Sequence, residues 1–293
     1  MIPLSERLRR EPALIADGAM GSLLIERGLP PGACPERLNL EQPAWLRDIA
    51  RLYAQAGADM VQTNTFGASP IKLSAYGLAD RTEAINRRAV ELARAGAGQA
   101  VYVTGTVGPC GKLLKPYGEA DPADVRQSFE RQTRALVEAG VDAISIETMT
   151  DLREAILAVQ AARAVSPTIP ILASLTYDAT PRGVFTIMGD TVAKAAAELA
   201  AAGADAVGSN CGNGSEPMKA IAEAYRRHTD LPLVIQPNAG LPEIRAGLLV
   251  YPETPEFMAA GAAELCAAGV RVIGGCCGTT PAHIAAIKAR LRG

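Results

Sequence analysis

Aromatic side chains are scarce in this chain, at 4% of 293 residues with a single tryptophan, Trp45, and net charge is nearly absent, at -2 with histidine neutral. A balance so close to neutral provides no basic surface for a phosphate backbone, so nothing in the composition suggests nucleic acid. No apolar run approaches the roughly 18 residues that a membrane span requires. The segment Met1 to Arg10 interleaves Glu6, Arg7, Arg9 and Arg10 with apolar residues, unlike the continuous apolar core of a secretory signal. Six cysteines at this length are too sparse for a disulfide scaffold, which points to the reducing cytoplasm. With 48% hydrophobic and 20% charged residues, the chain reads as globular, large enough for one barrel or two modest domains.

One phrase recurs at the end of helical stretches: Ala56-Gly57-Ala58-Asp59, Ala139-Gly140-Val141-Asp142, Ala202-Gly203-Ala204-Asp205 and Ala268-Gly269-Val270-Arg271. Each time an alanine-rich helix stops at a glycine, the usual left-handed terminator, and an apolar run follows. The runs Leu14–Asp17, Met60–Thr63, Val101–Gly105, Ala143–Glu147, Ile171–Thr176, Ala206–Ser209, Leu233–Gln236 and Val272–Gly275 are short and do not alternate, as expected of parallel strands covered on both faces. Helical stretches are expected between and after them at about 44–56, 82–95, 123–139, 151–165, 190–202, 215–228, 255–268 and 281–291. Eight strands alternating with eight helices predict a (β/α)8 barrel, an α/β fold, as a single domain over 1–293. A doubly wound open sheet is the competing architecture, but no Gly-x-Gly-x-x-Gly follows the first strand and no composition break separates two halves.

In a barrel, function lies at the carboxyl ends of the strands. There stand Asp17-Gly18-Ala19-Met20-Gly21, Thr63-Asn64-Thr65-Phe66-Gly67, Glu147-Thr148, Asn210-Cys211, Pro237-Asn238-Ala239-Gly240 and Gly274-Gly275-Cys276-Cys277-Gly278. Neighbouring residues on a regular strand face opposite ways, so Cys276 and Cys277 can reach one ion only where the strand has ended and the backbone turns. Cys211 ends the sixth strand and the pair ends the eighth, and alternate strands feed the same layers of a barrel interior. Three convergent thiols suggest a metal. The competing reading is that all three are buried small hydrophobes, and a Cys276–Cys277 disulfide is a further alternative. Cys266 reads as core, Cys34 and Cys110 as loop residues with Cys110 near enough to line the site, His283 as a cap or packing residue, and His228 as a surface residue.

These motifs, with the Thr279-Thr280-Pro281-Ala282-His283-Ile284 segment that follows the cysteine pair, resemble the zinc-dependent homocysteine S-methyltransferases. That family includes the homocysteine-binding domain of cobalamin-dependent methionine synthase and betaine-homocysteine methyltransferase. The resemblance covers nearly the whole chain and implies the same barrel. It implies that Cys211, Cys276 and Cys277 hold Zn2+, that homocysteine is the thiol methylated to methionine, and that Asp17, Glu147 and the backbone of Gly18 and Ala19 hold its amino acid end. Asn64 and Asn238 are candidate substrate contacts, with a role in orienting loops, shared with Asn210, as the alternative.

Three thiolates around zinc leave one tetrahedral position open, as in catalytic sites, and a coordinated thiol is deprotonated where a free one, of pKa about 8.5, is not. Asp17 and Glu147 offer two carboxylates to an ammonium, although either could instead cap a helix or accept loop amides. Leu29–Pro35 and Gly105–Pro116 read as lids or as plain connectors. With nothing beyond Met1 and Gly293 to bind folate or cobalamin, a stand-alone thiol-activating module is expected. Its methyl donor is a methylcorrinoid on a separate protein, a sulfonium, or a quaternary amine such as betaine. Scarce aromatics weigh against the last, which is usually held in an aromatic cage, although Phe66, Tyr117, Tyr177 and Phe185 fall near strand ends. Donor choice is expected at Tyr117-Gly118-Glu119 and Phe185–Gly189. The alternatives are a zinc methyltransferase for another thiol, or a partner subunit of a corrinoid protein without homocysteine activity.

Overall fold

A computed structural model describes residues 1–180, 183–245 and 248–293. Eight parallel strands form one sheet: β1 (Leu14–Ile15), β2 (Met60–Gln62), β3 (Tyr102–Val107), β4 (Ala143–Met149), β5 (Ile171–Leu175), β6 (Ala206–Asn210), β7 (Leu233–Gln236) and β8 (Val270–Ile273). Each pairs with the next in sequence, β8 pairs with β1, and a parallel bridge between Ala16 and Met60 joins β1 to β2 and closes the (β/α)8 barrel. The long helices Pro43–Ala56, Thr82–Ala97, Pro122–Glu138, Leu152–Val165, Val192–Ala202, Ser215–Arg226, Pro255–Ala267 and Pro281–Arg292 lie where the apolar periodicity predicts them, within two residues at either end.

The recurring Ala-Gly-x-Asp phrase has a two-part physical cause. Gly57, Gly140, Gly203 and Gly269 all have positive φ, between 86° and 107°, the left-handed end that glycine adopts without Cβ strain. The aspartate that follows accepts an amide from the first two residues of a neighbouring strand: Asp59 from Ile15 at 2.8 Å, Asp142 from Val103 at 2.7 Å and Asp205 from Ile171 at 2.9 Å. Arg292, Arg94 and Arg163 neutralise the three carboxylates in turn. Each repeat therefore ends one helix and pins the start of two strands. Where the fourth phrase has Arg271, the ion pair runs to Glu11 instead.

Inside the amino-terminal end of the barrel, Leu14, Ala16, Met60, Tyr102, Ala143, Leu172, Ala206, Val234 and Val272 form one buried layer. Leu4 and Leu8, from the short helix Leu4–Arg7 and its cap, close that layer from below. The layer is packed, not a channel, so the opposite, carboxyl end alone is left for a site. Additions that the sequence pattern did not show gather at that end: a helix at Met20–Glu26, and two hairpins pairing Asp178–Thr180 with Gly183–Phe185 and Glu243–Arg245 with Leu248–Val250.

Candidate active site

Strand β8 stops at Ile273, so Gly274 to Gly278 are free to turn. Gly274 is held by Ile235, Gly275 by the Asp17 carbonyl and Cys276 by the Pro237 carbonyl, the last at 2.7 Å. Added Cβ atoms would stand 2.7 Å from the Asp17 carbonyl oxygen at Gly274 and 2.4 Å from Thr279 at Gly275, so this loop can be that close to β1 only with glycine. Both cysteines of the pair thereby face the barrel mouth. Cys211 arrives from β6 with φ 62°, a left-handed conformation that costs a non-glycine residue on the order of 1–3 kcal/mol and persists where surrounding bonds over-determine it. Its amide donates to the Gln236 carbonyl.

The Sγ atoms of Cys211, Cys276 and Cys277 all lie within 4.8 Å of one another, with Cys211 and Cys277 3.9 Å apart. All six cysteines are free thiols in this structure, Cys276 and Cys277 among them. A tetrahedral ion with metal–sulfur bonds of about 2.3 Å places its sulfurs about 3.8 Å apart, so the donor set and its spacing fit a thiolate-bound metal. Hydrogen bonds from Cys276 and Cys277 lower the Cys211 thiol far below its usual range, while hydrogen bonding to Cys211 and Cys277, together with burial, pushes Cys276 upward.

Two carboxylates stand beside the sulfurs. Asp17 is 2% exposed; one oxygen accepts the Gln62 amide at 2.8 Å, and the other, Oδ1, has no hydrogen-bond partner among the described residues. Burial, reinforced by the nearby Glu147, pushes Asp17 up to about 8. Glu147 lines the cavity and accepts from Gln62 Nε2 at 2.7 Å, and burial pushes it up to about 7. A buried carboxylate beside a half-buried one, both reluctant to ionise, is a place for a cation.

The cavity has a volume of about 260 Å3, and Gly18, Ala19, Asn64, Glu147 and the three cysteines are on its wall. Asp17 and Asn238 are not among the lining residues; they stand behind it. The Ala19 amide is already engaged by Thr279 Oγ1 at 3.0 Å, so it is not free to receive a carboxylate. Asn64 donates to the Pro35 carbonyl and to Asn39. Asn238 bonds through its backbone to Asn213 and helps to lower Cys211.

Several participants were not visible as site residues in the sequence. Gln62 bridges the two carboxylates; its polar side chain at the end of an apolar strand was the available signal. Thr279 accepts from Ala19 and donates to the Cys276 carbonyl at 2.7 Å, and Tyr53 donates to the carbonyls of Ala19 and Thr279, tying the first and last strand ends together. Tyr251, reaching over from the second hairpin, packs where a Cβ on Gly278 would lie 2.1 Å from its ring. Burial and the neighbouring Cys277 push its hydroxyl up to about 12. Nothing in the local sequence around Tyr251 signals that contact.

Other expectations resolve plainly. Cys110 is not on the cavity wall: it is buried, its amide bound to Glu154 and its thiol to the Lys112 carbonyl. Cys34 bonds Glu36, and Cys266 packs against the core. His283 caps the last helix, Nδ1 accepting from the Thr280 amide and Nε2 donating to the Glu253 carbonyl, while His228 is exposed. Of the four aromatics near strand ends, Phe66 lines the cavity and Tyr177 is removed from it, buried against Tyr225 with their hydroxyls 2.6 Å apart. Pro35 and Glu36 make the 29–35 connector part of the wall, and Thr106 brings in the end of β3.

A barrel with three thiols and two carboxylates at its carboxyl end defines a class, and the comparisons name it. The model of the homocysteine S-methyltransferase family matches residues 14–291, so the chain belongs to that family. It is 34% identical over 295 residues to methionine synthase of Mycobacterium tuberculosis, covering 94% of this chain and 24% of that protein. Methionine synthase of Mycobacterium leprae is 33% identical with the same coverage; the chain thus spans about a quarter of the length of these relatives. The metallated form of the homocysteine methyltransferase MmuM from Escherichia coli superposes with a TM-score of 0.80 at 28% identity, covering 98% of this chain and 99% of that one. Its apo form gives 0.74.

Proposed function

We propose that this protein is a zinc-dependent S-methyltransferase that methylates homocysteine to methionine, with residues 1–293 acting as one homocysteine-binding barrel. The observation that carries the reading is the joint presence, on the wall of one small cavity, of three sulfurs at metal-ligand spacing and Glu147, with the buried Asp17 behind it. Zinc held by Cys211, Cys276 and Cys277 would supply a thiolate at neutral pH and keep it nucleophilic. Family membership supports that acceptor, and the metallated form of the structural neighbour supports a metal at such a site.

The protein's own residues then supply position and charge. Glu147 offers its carboxylate to the substrate ammonium on the cavity wall, Asp17 adds negative charge from behind it, and Gln62 holds both carboxylates so that neither rotates away. Because both ionise reluctantly in the empty site, the arriving cation completes their ionisation, and a thiol without an ammonium gains nothing from them. Phe66, fixed by close packing on Gly108, shields one side of the cavity from water.

The donor we assign is a methylcorrinoid on a separate protein or a sulfonium, in preference to betaine. Among the four aromatics near strand ends, Phe66 alone is on the wall, which is too little for a cage around a quaternary amine. Exposed apolar residues on the strand-end loops, including Leu113, Tyr117, Ile187 and Leu241, suit a face that another polypeptide approaches. Six free cysteines support a reducing, cytoplasmic setting, and among the described residues no helix is long and apolar enough to cross a membrane. The test is to offer methylcobalamin, S-methylmethionine and betaine separately to the zinc-loaded protein, each with homocysteine and with a simple thiol. Methionine formation from either of the first two supports the assignment. Turnover fastest with betaine overturns the donor, and preference for the simple thiol overturns the acceptor.

A further inference from the structure

Asn210 is 1% exposed and sits between the two halves of the site. Its Oδ1 accepts the Thr148 amide at 2.7 Å, and its Nδ2 faces Thr148 Oγ1 at 2.7 Å and Cys276 Sγ at 3.7 Å. The orientation of an asparagine amide is often ambiguous, but here it is fixed by chemistry: a backbone N–H can only donate, so the atom opposite Thr148 N must be the oxygen. That leaves Nδ2 pointing at the sulfur. Thr148 has φ 57°, and β4 slips register between Ile146 and Met149 around it. A β-branched residue does not hold this conformation unaided. Cys211, the residue after Asn210, likewise has φ 62°. The Asn210 carbonyl itself accepts from Thr176 Oγ1 at 3.0 Å, which fixes the backbone from β5.

We infer that Asn210 is the positioning residue that couples the amino acid subsite to the thiolate cluster. One end of its amide locks the Thr148 turn and so aims Glu147, while the other donates an N–H to Cys276 and draws charge from that sulfur. This rests on the reading of the three cysteines as metal ligands. A donor to a coordinated thiolate stabilises its anionic form and orients it, and loss of such an outer contact typically weakens metal binding about 10- to 100-fold. Loss of the turn lock should misplace Glu147 and raise KM for homocysteine, with no comparable effect on a thiol that lacks the ammonium.

The two roles separate experimentally. Asn210→Ala should weaken zinc retention against a chelator about 10- to 100-fold, shift the thiolate-to-metal charge-transfer band of the Co(II)-substituted protein, and raise KM for homocysteine. Asn210→Asp keeps an acceptor for Thr148 in the same shape but cannot donate to Cys276, so it should reproduce the metal defect with a smaller change in KM. Adding Thr148→Gly to Asn210→Ala, which lets the backbone take positive φ without a lock, should recover the homocysteine KM and leave the metal defect. Wild-type zinc affinity and an unshifted cobalt band in folded Asn210→Asp would overturn the inference, as would a lowered Tm as the sole consequence. If wild-type protein itself shows no thiolate-to-cobalt band, the metal reading fails first, and the two failures are distinguishable.

Discussion

Replacing Glu147 by glutamine keeps the size and shape of the side chain and removes its charge. Its Oε2 accepts from Gln62 Nε2 at 2.7 Å, and the glutamine can keep that bond only through its own carbonyl oxygen. The amide nitrogen must then face the cavity, where it presents hydrogens to an ammonium instead of accepting one. The loss is one charge-assisted hydrogen bond, worth about 1.5–3 kcal/mol, or roughly 10- to 160-fold in KM at about 1.36 kcal/mol per decade. Asp17 moderates this. Glu147 is one of the causes of its raised pKa, so with that charge gone Asp17 ionises more readily and takes more of the cation. The expected effect is therefore near the low end, about tenfold. The assay is steady-state kinetics of Glu147→Gln with homocysteine and with 2-mercaptoethanol, alongside zinc content. KM should rise for homocysteine alone, with metal retained. Equal losses for both thiols would refute the reasoning and make Glu147 a structural residue.

The metal site and the carboxylates each make further outcomes measurable. Purified protein should hold about one zinc per chain, and the combined replacement of Cys211, Cys276 and Cys277 by alanine should abolish both metal and methyl transfer while circular dichroism stays native, because the three lie beyond the packed layers of the barrel; stoichiometric zinc in that variant would refute the site. Asp17 and Glu147 are raised to about 8 and about 7, so the substrate-free fold keeps protons that the unfolded chain releases near pH 4. Their contribution to stability is present at low pH and lost as pH rises towards 7 to 8. The Tm of wild type relative to Glu147→Gln should therefore fall between pH 5 and pH 8.5, and KM for homocysteine should fall across pH 6 to 8 as the carboxylates ionise. A relative Tm that rises over that window would contradict the assignment.

The repeated glycine-aspartate phrase, the non-alternating strands and the length of the helices determine the barrel from the sequence alone. Each is a local property: a left-handed helix end, a strand buried on both faces, a 3.6-residue period. The cluster of Cys211 with Cys276 and Cys277 was legible for a related reason. In a barrel, strand number and strand end fix where a residue projects, so topology converts sequence position into proximity. Local pattern could not show which backbone amides are already taken, such as that of Ala19 by Thr279, or that Tyr177 turns inward to Tyr225 while Phe66 stays on the cavity wall. Those outcomes depend on side-chain directions set by residues far apart in the chain. The same holds for Gln62 between Asp17 and Glu147, for Tyr251 over Gly278, and for Asn210 between Thr148 and Cys276. Each of these contacts joins different strands or a strand and a hairpin, and only closure of the barrel brings them within bonding distance.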